Sequence, residues 1–157
     1  MTKPVRLERS RAFPVPVEHA FDVVLRTPLP GIFSRRYGAL PAIREVHDQD
    51  GEWGTVGQTR TIVLADGGTM RETLTQVQRP DRFGYVISDI TGPMKLLGRS
   101  IEGLWTFDQV GTGVRISWSW VLEPASAPAG LAMPLFARLW QGYARQAMEE
   151  IEPVLLR

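Results

Sequence analysis

Between Val114 and Leu122 large apolar residues alternate with small or charged ones, a period of two that belongs to a β-strand with one buried face. Val114, Ile116, Trp118, Trp120 and Leu122 share one face, and the same spacing turns Arg115, Ser117 and Ser119 toward water. A wall of indoles this broad needs cover. The one long amphipathic element available follows Pro124 and Pro128, where Phe136, Trp140, Tyr143 or Ala144, Ala147, Ile151 and Leu155 recur at helical spacing. Arg138, Gln141, Arg145 and Glu149 take the other side, with Arg145 and Glu149 spaced for an i, i+4 pair. Pro153 is expected to bend or end this helix.

At the other end of the chain, Val5 to Phe13 reads as a strand ended by Pro14 and Pro16. Val17, Ala20, Phe21, Val24 and Leu25 then form the stripe of an amphipathic helix that Pro28 and Pro30 stop, and residues 31–37 suit a short second helix. From Ala42 onward, glycine-rich turns separate runs rich in Val, Ile, Thr and aromatic residues, which predicts strands near 42–48, 57–65, 69–78, 82–90, 99–109 and 112–123. The clearest hairpin turns at Asp66-Gly67-Gly68. A three-residue loop there places Arg60, Ile62, Leu64, Met70, Glu72 and Leu74 on one face, with Arg60 and Glu72 as diagonal neighbours. Ile101, Gly103, Trp105 and Phe107 face the indole wall across a turn at residues 111–113, Gly103 leaving room for a facing indole. In strand 82–90, Phe83, Tyr85, Ile87 and Asp89 compete with Val86 and Ile90 for the inner face. The expected class is α+β, a curved seven-stranded antiparallel sheet around a long C-terminal helix.

Composition narrows the function classes. The 157 residues are 43% hydrophobic and 22% charged with a net charge of +1, values of a soluble domain with no general attraction to nucleic acid or anionic membrane. Arg35-Arg36 is too short for a basic patch. The absence of cysteine excludes thiolate metal sites, disulfides and a cysteine nucleophile. The N-terminal residues lack the apolar core of a secretory signal, and no apolar run is long enough to span a bilayer. The expectations are one domain over residues 1–157, a cytoplasmic location, no cofactor or metal, no nucleic acid partner, no stable membrane insertion, and a monomer or homodimer.

Several strings are similar to those of a known superfamily: residues 13–21 before the first helix, Gly57-Gln58-Thr59-Arg60, Asp66-Gly67 followed by Glu72, residues 79–85, and residues 111–118. With the element order, they resemble the helix-grip fold of the START-like superfamily, also called SRPBCC, which includes polyketide cyclase/dehydrase and lipid-transport-like proteins. The resemblance spans nearly the whole chain. It implies a cavity between sheet and terminal helix for a lipid, polyketide or similar apolar molecule, although the tryptophans are also bulky enough to fill that space as core. Such a fold alone does not decide between carrier and enzyme.

The cavity candidates are Arg60, Ile62, Met70, Glu72, Tyr85, Trp105, Trp118, Trp120, Trp140 and Tyr143. Arg60 and Glu72 share an apolar face, where a charge is costly unless paired, so they form either a structural bridge at the rim or an anchor for a polar head group. Binding of a small hydrophobic ligand is the leading function. The alternative is a polyketide cyclase or aromatase in which Arg60, Glu72 and a tyrosine such as Tyr85 or Tyr143 promote enolisation. A third class, protein interaction, uses an exposed Trp53 and the loop around Met94. His19 and His47 lack the spaced partners of a triad or metal site and read as surface and strand-end residues. Residues 51–57 lack the lysine and helix start of a phosphate loop. The apolar segment 91–98 either caps a pocket mouth as a lid or tucks under the sheet.

Overall fold

The computed structural model describes residues 3–157. Seven antiparallel strands form one sheet: β1 (Val5–Phe13), β2 (Ile43–His47), β3 (Thr59–Leu64), β4 (Thr69–Gln78), β5 (Arg82–Ser88), β6 (Gly98–Val110) and β7 (Gly113–Pro124). Their spatial order is β1-β7-β6-β5-β4-β3-β2, so sequence neighbours pair throughout except where β1 joins the far side of β7. Helices α1 (Val17–Arg26) and α2 (Leu29–Ile32) bridge β1 to β2 across the concave face, and α3 (Ala127–Leu155) closes it. The expected α+β class and the two short helices after β1 are present.

The core lies between the inner sheet face and the helices. Val114, Ile116, Trp118 and Leu122 are buried on β7, as the alternation requires, and Phe83, Tyr85 and Ile87 are the inward residues of β5. Asp89 lies just past β5, where a positive φ of 51° turns the chain and brings Ile90 inward instead. Ser117 and Ser119 depart from their expected exposure and are buried. They are small side chains on a central strand, flanked by Ser10 and Thr106 and by Glu8 and Leu104, whose neighbours shelter them.

The prolines behave differently from the expected breakers. Pro28 is the extended N-cap of α2 and Pro30 lies in its first turn, where a missing N–H is harmless, so this pair starts a helix at Leu29 rather than only ending α1. The chain beyond Phe33 is not helical: Tyr37 and Leu40 exchange two backbone hydrogen bonds of 2.9 Å around Gly38. Helix α3 begins earlier than its aromatic stripe, at a Ser126 cap that accepts from the Ala129 N–H at 3.2 Å. It runs through Pro134 and Pro153 to Leu155. Ile151 and Leu155 flank Pro153 and are buried, so packing holds the last turn against the loss of one backbone bond. Glu149 and Arg145 do not pair as expected: Glu149 accepts from Arg35 at 2.9 Å, and Arg145 lies over the Tyr37 ring.

Candidate functional site: a small apolar cavity with a buried ion pair

The β3–β4 hairpin sets the polar centre. Its loop is Ala65-Asp66-Gly67, one residue earlier than the sequence pattern predicts, since Leu64 N–H bonds to Gly68 O and Gly67 N–H to Leu64 O. Parity is unchanged, and the inward faces stay as expected. The register shifts by two, which puts Arg60 directly opposite Glu72 rather than diagonal to it. Arg60 Nε donates to Glu72 Oε1 at 2.7 Å, and both residues are buried, at 6% and 3% exposure. Burial pushes the Glu72 carboxyl up from its ordinary value, against the Arg60 guanidinium that pulls it down.

Arg60 is held from behind by residues the pattern did not single out. Its guanidinium lies 3.8 Å from the ring centroid of Trp53, and Nη1 donates to Gln49 at 3.3 Å. Trp53 is therefore buried, contrary to its expected role as an exposed contact residue. The polar residues around it carry no hydrophobic period.

Arg60 and Glu72 border a cavity of about 80 Å³. Ile62, Met70, Tyr85, Trp105, Trp118 and Trp120 line it from the sheet, and Tyr143 is the contribution of α3. Trp140 corrects the expectation: it is fully buried and stacks on Trp118 at 4.8 Å, outside the lining. The indoles thus fill the space under α3 as core, and the hollow lies toward β3 and β4. Ile43, Leu64, Phe83 and Ile87 complete the sheet side, and the opposite wall comes from Val24 and Leu25 of α1, Leu29 and Ile32 of α2, and Phe33. The α1 stripe was the signal for the first two; Leu29 and Ile32 were obscured by the flanking prolines. Phe33 stacks on Tyr143 with centroids 5.5 Å apart, which fixes this wall against α3.

The two tyrosines are engaged differently. Tyr143 donates its hydroxyl proton to Pro41 O at 2.8 Å. Tyr85 accepts from the indole N–H of Trp118 at 2.8 Å and of Trp120 at 3.1 Å. It reaches them across Gly103, its cross-strand partner, where an added Cβ would stand 2.0 Å from the phenol Cζ. Gly103 therefore makes room for a phenol, not for an indole. Burial raises both phenols above their ordinary value.

Segment 91–98 is no lid on this cavity. It forms a 3₁₀ turn at Pro93–Leu96, and Met94 and Leu97 border a separate groove with Phe136 and Leu139 of α3. His19 Nε2 lies 2.9 Å from Leu155 O, and His47 Nε2 lies 3.0 Å from Glu45; both are exposed and away from the cavity. Among the described residues no helix is long and apolar enough to cross a membrane.

A curled antiparallel sheet closed by a long C-terminal helix, with a hollow on its concave side, defines the helix-grip class of START-like proteins. The chain belongs to the family described as polyketide cyclase / dehydrase and lipid transport, whose model matches residues 4–155. Among solved structures it is similar to Ara h 8.0201, at 17% identity and a TM-score of 0.68 over 98% of each chain. It is similar to a Thermus thermophilus protein, TTHA0849, at 17% identity and a TM-score of 0.69 over 97% of each chain. Major latex-like protein 151 of Panax ginseng matches at 16% identity and a TM-score of 0.69, over 98% of this chain and 99% of that one. At these identities the likeness is one of fold. No match is found among curated protein sequences.

Proposed function

We propose that this protein binds a small hydrophobic molecule in the cavity enclosed by β3–β7, α1, α2 and Tyr143. The observation that carries this reading is the combination of an aromatic and aliphatic lining with one buried, convergent polar group, the Arg60–Glu72 pair, which is the ordinary make-up of a ligand site. Apolar burial supplies the affinity, at roughly 25 cal/mol per Å² before ordering costs. The pair, with Tyr85, orients the guest.

The volume limits the guest. A cavity of about 80 Å³ is well below the ~300–1,000 Å³ of drug-sized sites, so it suits a molecule of about one ring. A fatty acid, sterol or polycyclic polyketide requires the cavity to widen. Titration of tryptophan fluorescence with a panel graded from single-ring aromatics to fatty acids, sterols and aromatic polyketides tests the proposal. Saturable responses that weaken with guest size are expected; a flat response across the panel overturns it.

A second reading, a polyketide cyclase or aromatase, is favoured by one observation: Glu72 is a carboxyl whose proton affinity burial has raised, facing an apolar hollow, as a general acid or base requires. If it is correct, Glu72→Gln abolishes ring closure of a polyketide substrate while guest binding persists. Unchanged turnover in that variant removes this reading.

A further inference from the structure

The hydrogen-bond count at Tyr85 narrows the chemistry of the guest. An indole nitrogen has a proton to give and no lone pair to offer, so both Trp118 and Trp120 must donate and the Tyr85 oxygen must accept from each. Two incoming hydrogens occupy the acceptor capacity of that oxygen. Its own proton is left over, and no described residue takes it at hydrogen-bond distance. The residue is buried on the cavity wall, at 6% exposure, where a donor without an acceptor is costly. Tyr143, the other tyrosine on this wall, has already given its proton to Pro41 O. Because burial and the nearby Glu72 both raise the Tyr85 phenol, it keeps its proton at neutral pH.

We infer that the cavity selects an apolar guest carrying a hydrogen-bond acceptor, a ketone or similar carbonyl oxygen, which takes the Tyr85 hydroxyl proton that the two indoles leave free. This rests on the ligand-binding function proposed above and adds the class of molecule. The indoles act as positioning residues: by filling both lone pairs they fix the phenol in the donor role. A hydrocarbon of the same shape leaves that proton unpaired. An amine or alcohol that offers only its hydrogen finds no acceptor at Tyr85.

Acetophenone and α-methylstyrene have nearly the same shape and differ by C=O against C=CH₂, so calorimetric titration of both isolates the hydrogen bond. Wild-type protein is expected to bind acetophenone about three- to tenfold more tightly, the equivalent of one net neutral hydrogen bond. In Tyr85→Phe the ratio of the two affinities falls toward one. A second measurement needs no variant: the carbonyl stretch of ¹³C-labelled acetophenone shifts to lower wavenumber when bound to wild-type protein. Equal binding of the two probes, or an unshifted carbonyl, overturns the acceptor inference and leaves the binding function standing. Failure of both probes to bind overturns the inference and counts against the binding function as well.

Discussion

Replacing Arg60 by Met removes a cation from a site where water cannot take its place. The methionine keeps the length of the stem over Trp53, so the change is electrostatic more than volumetric. Glu72, at 3% exposure, is left without its partner. The folded protein then avoids a bare buried carboxylate by taking up a proton. For an acid whose ordinary value is 4.5, that uptake costs about 3.4 kcal/mol at pH 7 and about 1.4 kcal/mol at pH 5.5, at about 1.36 kcal/mol per unit. The double variant Arg60→Met/Glu72→Gln carries a neutral isostere of the protonated acid and serves as the reference. Because the folded-state affinity for the proton is raised, the stability of the single variant is fully present below pH 4.5 and is lost as pH rises toward the folded value. Urea unfolding with linear extrapolation should therefore find Arg60→Met less stable than the double variant by about 3 kcal/mol at pH 7, the gap closing to about 1.4 kcal/mol at pH 5.5. A gap below about 1 kcal/mol at pH 7, or one that ignores pH, refutes the argument that Glu72 is desolvated.

Other outcomes follow from the packing and the surface charges. Gly103→Ala places a Cβ about 2 Å from the Tyr85 ring, which must leave its indole donors. A loss of about 2 kcal/mol or more is expected in denaturant unfolding, and in a Tyr85→Ala background the same change should be much less harmful. Trp140→Ala opens a void beside Trp118, with a cost of about 3–5 kcal/mol by the same assay. Asp22 accepts two hydrogen bonds from Arg79, both 2.8 Å, which hold its carboxyl below the ordinary value of 3.8. Its stabilisation is present above pH 3.8 and lost as pH falls, so Asp22→Asn is slightly less stable than wild type at neutral pH and equal to it in strong acid, by thermal unfolding across the two conditions.

Fold and site were legible to different depths, for a physical reason that individual residues show. Strands β6 and β7 bury one face and wet the other, so Trp105 or Trp118 announces its side through a strict period of two. Buried serines escape this logic because shelter by longer neighbours depends on strands distant in the chain. The face containing Arg60 and Glu72 was readable from parity alone, while their direct opposition depended on a one-residue change in where the hairpin turns. Trp53 and Gln49 lie in an irregular connection, so nothing periodic ties them to Arg60. Trp140 carries the same helical signal as Tyr143; only the tilt and depth of α3 decide that one stacks into the core while the other reaches the hollow. Pro28 shows the same limit, since it marks a boundary without saying which element begins there.

The stacked tryptophans have an optical consequence. Trp118 lies 5.4 Å from Trp105, 5.5 Å from Trp120 and 4.8 Å from Trp140, centroid to centroid. At such separations the transition dipoles couple, and excitation entering at any one ring is shared by all four before it is emitted. Three of these chromophores border the hollow, so an occupant perturbs the whole array through whichever indole it touches. The near-ultraviolet dichroism of these four rings is thus expected to belong to the cluster, beside a separate contribution from Trp53 against Arg60, and replacing any single member should alter the signal of the rest.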